Sequence, residues 1–105
     1  MNTIYAAGAL HISIPQYSTK DTRLWALYDN FDAAEQTILN NYGDFFECSY
    51  NYALIEEIQV NNHMSLYTPL PQQWWYKAEF GDDNFCVSRI DVPPEFKHIS
   101  HWWVG

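Results

Sequence analysis

Histidine side chains could bind a metal ion in this sequence, and two of them stand close together. His98 and His101 are three residues apart near the end of the chain. In a helix this spacing places both imidazoles on neighbouring turns, where they could share a metal ion, whereas in a strand they point to opposite faces. A third ligand would be needed, and the remaining histidines and cysteines stand in no recognised metal-ligand spacing. We therefore favour exposed or hydrogen-bonded histidines and predict no metal and no cofactor.

Carboxylates that lie close in sequence could act as general acid and base, and three such pairs occur: Asp44 with Glu47, Glu56 with Glu57, and Asp82 with Asp83. Adjacent side chains of a strand point to opposite faces, so Glu56 and Glu57 cannot share one proton by themselves. Asp82 and Asp83 fall in a predicted turn, where aspartate usually bonds to the local backbone. Asp44 follows a predicted helix end, where it could do the same. These pairs therefore favour structural roles.

Glu56 is the unusual carboxylate, because it shares the parity of Leu54 and Ile58 in an otherwise apolar strand. A buried carboxylate needs a partner, which Arg23, Arg89 or a tyrosine hydroxyl could supply. We favour a structural salt bridge or a β-bulge that turns Glu56 outward. The alternative is the polar floor of a ligand pocket. An enzyme that uses Glu56 and a histidine ranks below both, because the chain contains no nucleophile motif and no phosphate-binding loop.

Two strands are predicted before the helix. Residues 10–14 alternate between apolar and polar, so Leu10, Ile12 and Ile14 are expected on one buried face. Residues 16–21 form a polar run that predicts a loop. Residues 23–28 form an apolar run that predicts a second, more fully buried strand.

One helix is predicted within residues 29–43. Its N-cap is Asn30 or Asp32, and Asp32 with Glu35 fits the D-x-x-E capping pattern. Phe31, Ala34 and Ile38, together with Leu39, then share one face. Gly43 is expected to end the helix.

Three strands are predicted after the helix. Residues 52–60 alternate, with Tyr52, Leu54, Glu56, Ile58 and Val60 on one side. Residues 74–80 and 85–90 form a hairpin around the loop at residues 81–84. The order ββαβ followed by a hairpin indicates one α+β domain over residues 1–105. Its antiparallel sheet has four to six strands, and one main helix packs on it.

The composition indicates a folded protein that avoids acidic partners. Of its 105 residues, 48% are hydrophobic, and 13 acidic against five basic side chains give a net charge of −8. This charge repels nucleic-acid phosphates and anionic membranes, and it favours a protein partner with a basic surface. The apolar residues 4–10 are too few to span a bilayer, and no basic residue precedes them as in a signal peptide. We expect a cytoplasmic protein. Cys48 and Cys86 are then most simply buried thiols, with a disulfide as the alternative in an oxidising compartment.

Residues 22–80 resemble small uncharacterised α+β proteins that phages and bacterial mobile elements encode. In that group a tryptophan-bearing strand leads into an F-x-x-A-E helix, an N-N-x-G-D-x-F-E turn and a Y-x-x-x-I-E-E strand. The matching positions are Phe31, Ala34, Glu35, Asn40, Asn41, Gly43, Asp44, Phe46, Glu47, Tyr52, Ile55 or Ile58, Glu56 and Glu57. No catalytic residue comes with this resemblance. It implies a genomic setting in which small acidic proteins often disarm host defence, and then a location in the host cytoplasm.

Aromatic residues are the strongest functional signal. Five Trp and eight Tyr exceed what a core of this size can bury, and both types anchor protein interfaces. Trp25 and Trp74 are expected in the core with one of Trp102 and Trp103. Trp75 shares its strand face with Lys77 and Glu79 and is the best candidate for an exposed anchor. The expected partner-binding residues are Trp75, Asp82, Asp83, Glu57, Glu79, Asp44, Trp102 and Trp103.

These observations favour a non-enzymatic binding protein, such as a phage or mobile-element inhibitor of a host defence complex of the CRISPR type. It would occupy a basic protein surface without contacting nucleic acid or membrane directly. A second hypothesis is a binder that sequesters a nucleotide signal by stacking aromatic rings on the base. A third is the small enzyme considered above. The oligomeric state is open, and a homodimer is compatible with the sequence.

Overall fold

The computed structural model describes residues 3–13, 18–46, 50–59, 72–80 and 85–91, with the side chains of residues 13 and 18–22 excepted. Within these residues five strands and one helix follow one another: β1 (Thr3–Ser13), β2 (Ser18–Tyr28), α1 (Phe31–Leu39), β3 (Tyr52–Gln59), β4 (Gln73–Phe80) and β5 (Phe85–Ile90). All five strands belong to one sheet of order β2-β1-β3-β4-β5, and each neighbouring pair is antiparallel. The expected α+β class, with an antiparallel sheet and one helix, is confirmed.

The start of α1 is fixed by Asn30. Its side-chain Oδ1 accepts a hydrogen bond of 2.8 Å from the backbone N–H of Ala33, which satisfies one of the otherwise unpaired donors of the first turn. Asn30 is therefore the N-cap, one of the two predicted positions. The D-x-x-E pattern is not used, because Asp32 lies inside the first turn and Glu35 bonds to the sheet.

The end of α1 is a tight turn. Asn40 is the C-cap, and the left-handed backbone of Asn41, Gly43 and Asp44 (φ 50°, 64° and 59°) then reverses the chain. The helix thus ends before the predicted stop at Gly43. A Cβ at Gly43 would stand 3.0 Å from the Trp25 ring, so this turn packs directly on β2.

The helix packs on one face of the sheet, here called the helix face. Ala34 and Ile38 are buried there and Phe31 is partly buried, as the helical periodicity predicts. They cover a cluster supplied by every strand and by the turn after α1. Its fully or nearly buried members include Ala7, Ala9, Phe45, Phe46, Ala53, Ile55, Tyr76 and Ala78. Small side chains in β1 let the helix approach the centre of the sheet closely.

The opposite face of the sheet, here called the second face, is buried at its centre, whereas side chains of β2 and β5 at its two edges are exposed. Leu10, Ile12, Tyr52, Leu54 and Trp75 form a separate hydrophobic cluster there. The five residues 52–56 are all buried, so the first part of β3 has no solvent-facing side. Alternation along β3 therefore separates two buried faces rather than an inside from an outside.

The boundaries of the first two strands differ from the sequence prediction. β1 begins seven residues earlier than the predicted strand at residues 10–14, and Ile14 lies outside the described residues. β2 includes residues 18–21, which the polar run had predicted as a loop. Leu10 and Ile12 are buried, as predicted.

β2 is an edge strand of the described sheet and is not fully buried. Residues 23–28 form a strand, as predicted, but Leu24 and Leu27 are 50% and 54% exposed, so the expected fuller burial of this strand is wrong. The register between β1 and β2 shifts twice, between Ala7 and Gly8 and again between His11 and Ile12. The first shift is a β-bulge that places Trp25 on the helix face against Phe45, with ring centroids 5.5 Å apart.

The later strands lie close to their predicted bounds. β3 ends at Gln59, and Val60 lies outside the described residues. β4 begins one residue before the predicted start, and β5 has the predicted bounds. The loop at residues 81–84 lies outside the described residues. No helix in the described part of the chain is long and apolar enough to cross a membrane.

Candidate functional site

Trp75, the expected exposed anchor, is fully buried, and that prediction is wrong. Its ring belongs to the second-face cluster, and its indole Nε1 donates a hydrogen bond of 3.1 Å to Oε1 of Gln73. Alternation correctly placed Trp75 on the face opposite Trp74 and Tyr76, but at this position the second face is buried and not exposed to solvent. Trp75 cannot contact a partner while β4 keeps this position. Trp25 and Trp74 are partly buried against the helix-side core, as expected.

The predicted acidic residues fall into three groups. Asp44 and Glu79 are exposed, whereas Glu57 is partly buried and accepts a long hydrogen bond of 3.5 Å from the Tyr5 hydroxyl. Asp82, Asp83, Trp102 and Trp103 lie outside the described residues, as do His98 and His101. Of the predicted acidic residues, Glu79 and Asp44 are therefore the two that the structure both describes and shows as exposed.

Two phenylalanines form an exposed apolar site that the sequence interpretation missed. Phe80 and Phe85 are 55% and 40% exposed, stand opposite each other as the closing pair of β4 and β5, and have ring centroids 5.0 Å apart. Phe85 also contacts the buried Phe46, whose ring centroid is 5.8 Å away. We call Phe80 and Phe85 the aromatic pair. Alternation predicts Phe80 on the same face as Trp74, Tyr76 and Ala78, and it does lie on that helix face.

The aromatic pair lies four residues along β4 from Tyr76, the β4 residue that bonds to α1. A nine-residue helix is about 14 Å long, whereas the eight residues of β4 extend over about 26 Å. The helix covers Tyr76 and leaves the end of β4 uncovered. Phe46 is buried and contacts Phe85, so the pair packs against the core through that ring.

The backbone next to the aromatic pair carries an acidic and a thiol side chain. Glu79 and Cys86 stand opposite each other on β4 and β5, and both are exposed. The expectation of a buried thiol at Cys86 is therefore wrong, and Cys48 lies outside the described residues. Because adjacent residues of a strand point to opposite faces, Glu79 and Cys86 lie on the second face, whereas the aromatic pair lies on the helix face.

A second polar arrangement joins the helix to the sheet. The Tyr76 hydroxyl donates a hydrogen bond of 2.5 Å to Oε2 of Glu35, and Nη1 of Arg89 stands 3.4 Å from the same oxygen. The Arg89 guanidinium also stacks over Phe31, 5.8 Å from the ring centroid. Burial of Tyr76 and its hydrogen bond to Glu35 raise the pKa of the Tyr76 hydroxyl. This arrangement holds the helix on β4 and β5.

Glu56 is buried on the second face and is not turned outward. Its carboxylate accepts a hydrogen bond of 3.2 Å from Nε2 of Gln73, its cross-strand neighbour, so the expected bulge is wrong. Arg89, one expected salt-bridge partner, bonds to Glu35 instead. Register places Arg23 opposite Ala9 on the helix face, where its Nη2 donates to the carbonyl of Phe45.

An acid–base pair of Glu56 with a described histidine is ruled out by geometry. His11 is the histidine that the described residues contain, and its parity in β1 places it on the helix face. Glu56 points to the second face, so the sheet separates the two side chains. Within the described ranges no three His, Cys, Asp or Glu side chains gather where they could hold a metal ion.

Comparisons of this chain with protein-family models, with curated proteins and with solved structures found no match.

Proposed function

We propose that this chain is a non-enzymatic acidic binding protein that occupies a basic surface of another protein. The observation that carries the proposal is the aromatic pair, two large apolar rings exposed side by side in a chain of net charge −8. Exposed aromatic rings are typical anchors of protein interfaces. The net negative charge of the chain would steer a basic partner toward it.

The aromatic pair replaces Trp75 as the anchor. Phe80 and Phe85 stand at one end of the sheet, so a partner can reach both rings without any change in β4. Glu79, which precedes Phe80, is exposed on the opposite face of the sheet, so it adds negative charge to this end of the sheet without lying on the same surface as the rings. Asp82 and Asp83 follow in sequence and would add to that charge.

Leu24 and Leu27 form a second exposed apolar site, but they are a weaker candidate for this partner. Both lie on β2 opposite Gly8 and Ala6 and point to the second face, away from the aromatic pair. Leucine is also under-represented among residues that dominate binding energy. Their similar exposure makes them a matched control for the aromatic pair.

The test compares two double variants that each replace two exposed apolar side chains with serine. Phe80→Ser with Phe85→Ser removes the aromatic pair, and Leu24→Ser with Leu27→Ser removes the control site. Each immobilised protein is exposed to a bacterial lysate at low salt, and the retained proteins are quantified by mass spectrometry. We expect a basic protein that the parent and the leucine variant retain and that the phenylalanine variant loses by about tenfold or more. Equal retention by both variants would contradict the proposal.

The narrower form of the proposal is inhibition of a host defence complex, and it rests on the resemblance to phage and mobile-element proteins. Nucleic-acid enzymes have positively charged grooves, which an acidic protein with an apolar anchor could occupy. The measurement is DNA cleavage by purified CRISPR effector complexes with increasing amounts of the parent protein. We expect inhibition that weakens as salt rises and that the phenylalanine variant loses. Full cleavage by every effector at saturating protein would reject this narrower form and leave the lysate experiment to decide the broader one.

A further inference from the structure

The two edges of the described sheet differ in regularity. β2 carries two register shifts against β1, and bulges of this kind make an edge unsuitable for pairing with a further strand. β5 pairs with β4 in unbroken register over all six residues, from Phe85 opposite Phe80 to Ile90 opposite Trp75. Of the two edge strands in the described sheet, β5 is thus the one whose regular register suits pairing with a further strand.

The hydrogen bonds of β4 determine which backbone groups of β5 point outward. The N–H of Ala78 donates to the carbonyl of Asn51, at 3.0 Å, so Ala78 is directed toward the β3 side of β4. Backbone groups alternate in direction along an antiparallel strand, so Lys77 and Glu79 are directed toward β5. Their partners are Ser88 and Cys86.

The outward backbone groups of β5 are therefore those of Phe85, Val87 and Arg89. The same alternation turns the N–H and C=O of Cys86, Ser88 and Ile90 toward β4. An extended segment beside β5 would meet three N–H donors and three C=O acceptors at regular spacing. The aromatic pair stands at one end of this row, because Phe85 is its first residue.

We propose that the outer edge of β5 binds an extended basic segment of a partner protein as an added strand. The inference deepens the proposed function and rests on it for the choice of a protein partner. Backbone hydrogen bonds would supply affinity, and alternate side chains would supply specificity. Asp91 directly follows β5 and is exposed, and the chain has a net charge of −8, so lysine or arginine in the segment would find opposite charge. The positive charge of Arg89 on this edge is paired with Glu35.

A second copy of this chain fits the same edge less well. Two copies would bring together two chains of net charge −8, and like charges placed side by side oppose association. A basic segment reverses the sign of that interaction. The occupant is accordingly a basic segment of a different protein.

The probe for the experiment is a short synthetic peptide in which lysine alternates with valine. Its matched control carries glutamate in place of every lysine. Amide hydrogen exchange of the full chain is followed by NMR with and without each peptide. We expect the lysine peptide to slow exchange at Phe85, Val87 and Arg89 by about tenfold or more, while exchange at Cys86, Ser88 and Ile90 is slow throughout. The glutamate peptide should leave all six amides unchanged.

Two proline variants separate the outer edge from the inner one. Val87→Pro removes an outward N–H and spares the bonds to β4, so the fold should persist while the lysine peptide binds about fivefold or more weakly. Ser88→Pro removes a bond to β4 and should lower the melting temperature instead.

Three results would overturn the inference: no binding of the lysine peptide, protection at amides outside β5, or a folded Val87→Pro variant that binds as the parent does. If Val87→Pro fails to fold, the exchange pattern of the parent decides alone. Peptide binding with no lysate partner would reject the proposed function and keep the strand site. A lysate partner without protection by the lysine peptide would keep the proposed function and reject the strand site on β5.

Discussion

The Tyr76 hydroxyl lies 2.5 Å from Oε2 of Glu35, and this hydrogen bond joins the middle of α1 to β4. The same carboxylate oxygen is 3.4 Å from Arg89 on β5, so one oxygen connects the helix to two strands. Neither the helical periodicity nor the alternation in the strands predicts this contact, because the three residues are far apart in sequence. It makes the orientation of α1 on the sheet specific.

We expect Tyr76→Phe to lower the free energy of unfolding by about 2 kcal/mol, because it removes a hydrogen bond to a partly buried carboxylate. The matched control is Tyr28→Phe, which removes the neutral hydrogen bond of 3.0 Å between Tyr28 and the Thr37 hydroxyl and should cost about 1 kcal/mol. Urea unfolding of both variants measures the two costs. A smaller loss for Tyr76→Phe than for Tyr28→Phe would show that the carboxylate bond adds nothing.

The raised pKa of Tyr76 makes stability depend on alkaline pH. The neutral hydroxyl keeps its proton in the folded chain, whereas in the unfolded chain it loses the proton near pH 10. Above that pH the folded state holds more protons, so stability must fall as pH rises, by up to about 1.4 kcal/mol per pH unit from this group. Below pH 10 the contribution is fully present.

Unfolding of the parent and of Tyr76→Phe at increasing alkaline pH isolates this effect, since the other titrating groups are common to both. We expect the stability gap between the two proteins to narrow steadily above pH 10. A gap that stays constant with pH would mean that Tyr76 ionises as freely in the folded chain as in the unfolded one.

Trp75→Ala should destabilise the fold by about 3–5 kcal/mol, because it empties the centre of the second-face cluster and leaves Gln73 without its indole donor. Trp75→Phe keeps most of the volume and should cost less. Phe80→Ala in the same strand removes an exposed ring and should change stability by about 0.5 kcal/mol or less. Thermal unfolding followed by circular dichroism compares the three. Equal effects of Trp75→Ala and Phe80→Ala would be incompatible with the burial of Trp75.

Gly43→Ala should cost about 1–2 kcal/mol for two reasons that act together. The backbone has φ +64°, and the new methyl group would stand 3.0 Å from the Trp25 ring. Asp44→Gly is the opposite test, because Asp44 has φ 59° and is exposed, so glycine should be neutral or stabilising there. Chemical denaturation of both variants gives the comparison. A stable Gly43→Ala protein would show that the turn can move away from β2.

The elements that local signals determine were predictable from the sequence. The face of α1 with Phe31, Ala34 and Ile38 follows from the helical period, and a cap at Asn30 follows from its side-chain chemistry. The strand at residues 85–90 also follows from its alternation. These features depend on interactions between residues close in the chain, and that is why a sequence pattern contains them.

The features that depend on the order of strands were not predictable in the same way. An apolar run at residues 23–28 suits a central strand, but the sheet order places β2 at an edge and exposes Leu24 and Leu27. Trp75 has polar neighbours on its face, yet the second face of the sheet is buried there. Phe80 shares the helix face with Tyr76 and Ala78 but is exposed, and alternation along β4 does not distinguish these three positions.

In the order β2-β1-β3-β4-β5, the pairing of β1 with β3 joins the β1–β2 pair to the strands β3, β4 and β5. Tyr5 and Glu57 face each other across β1 and β3, although 52 residues separate them in sequence. Closing a loop of that length costs entropy before the pairing is rewarded, so β1–β3 contact should form late in folding, after the β1–β2 and β4–β5 pairs. Until it forms, the facing edges of β1 and β3 have unpaired backbone groups, and the apolar side chains of both strands are incompletely covered. The interval before the two halves dock is therefore the stage at which this chain is most exposed to aggregation.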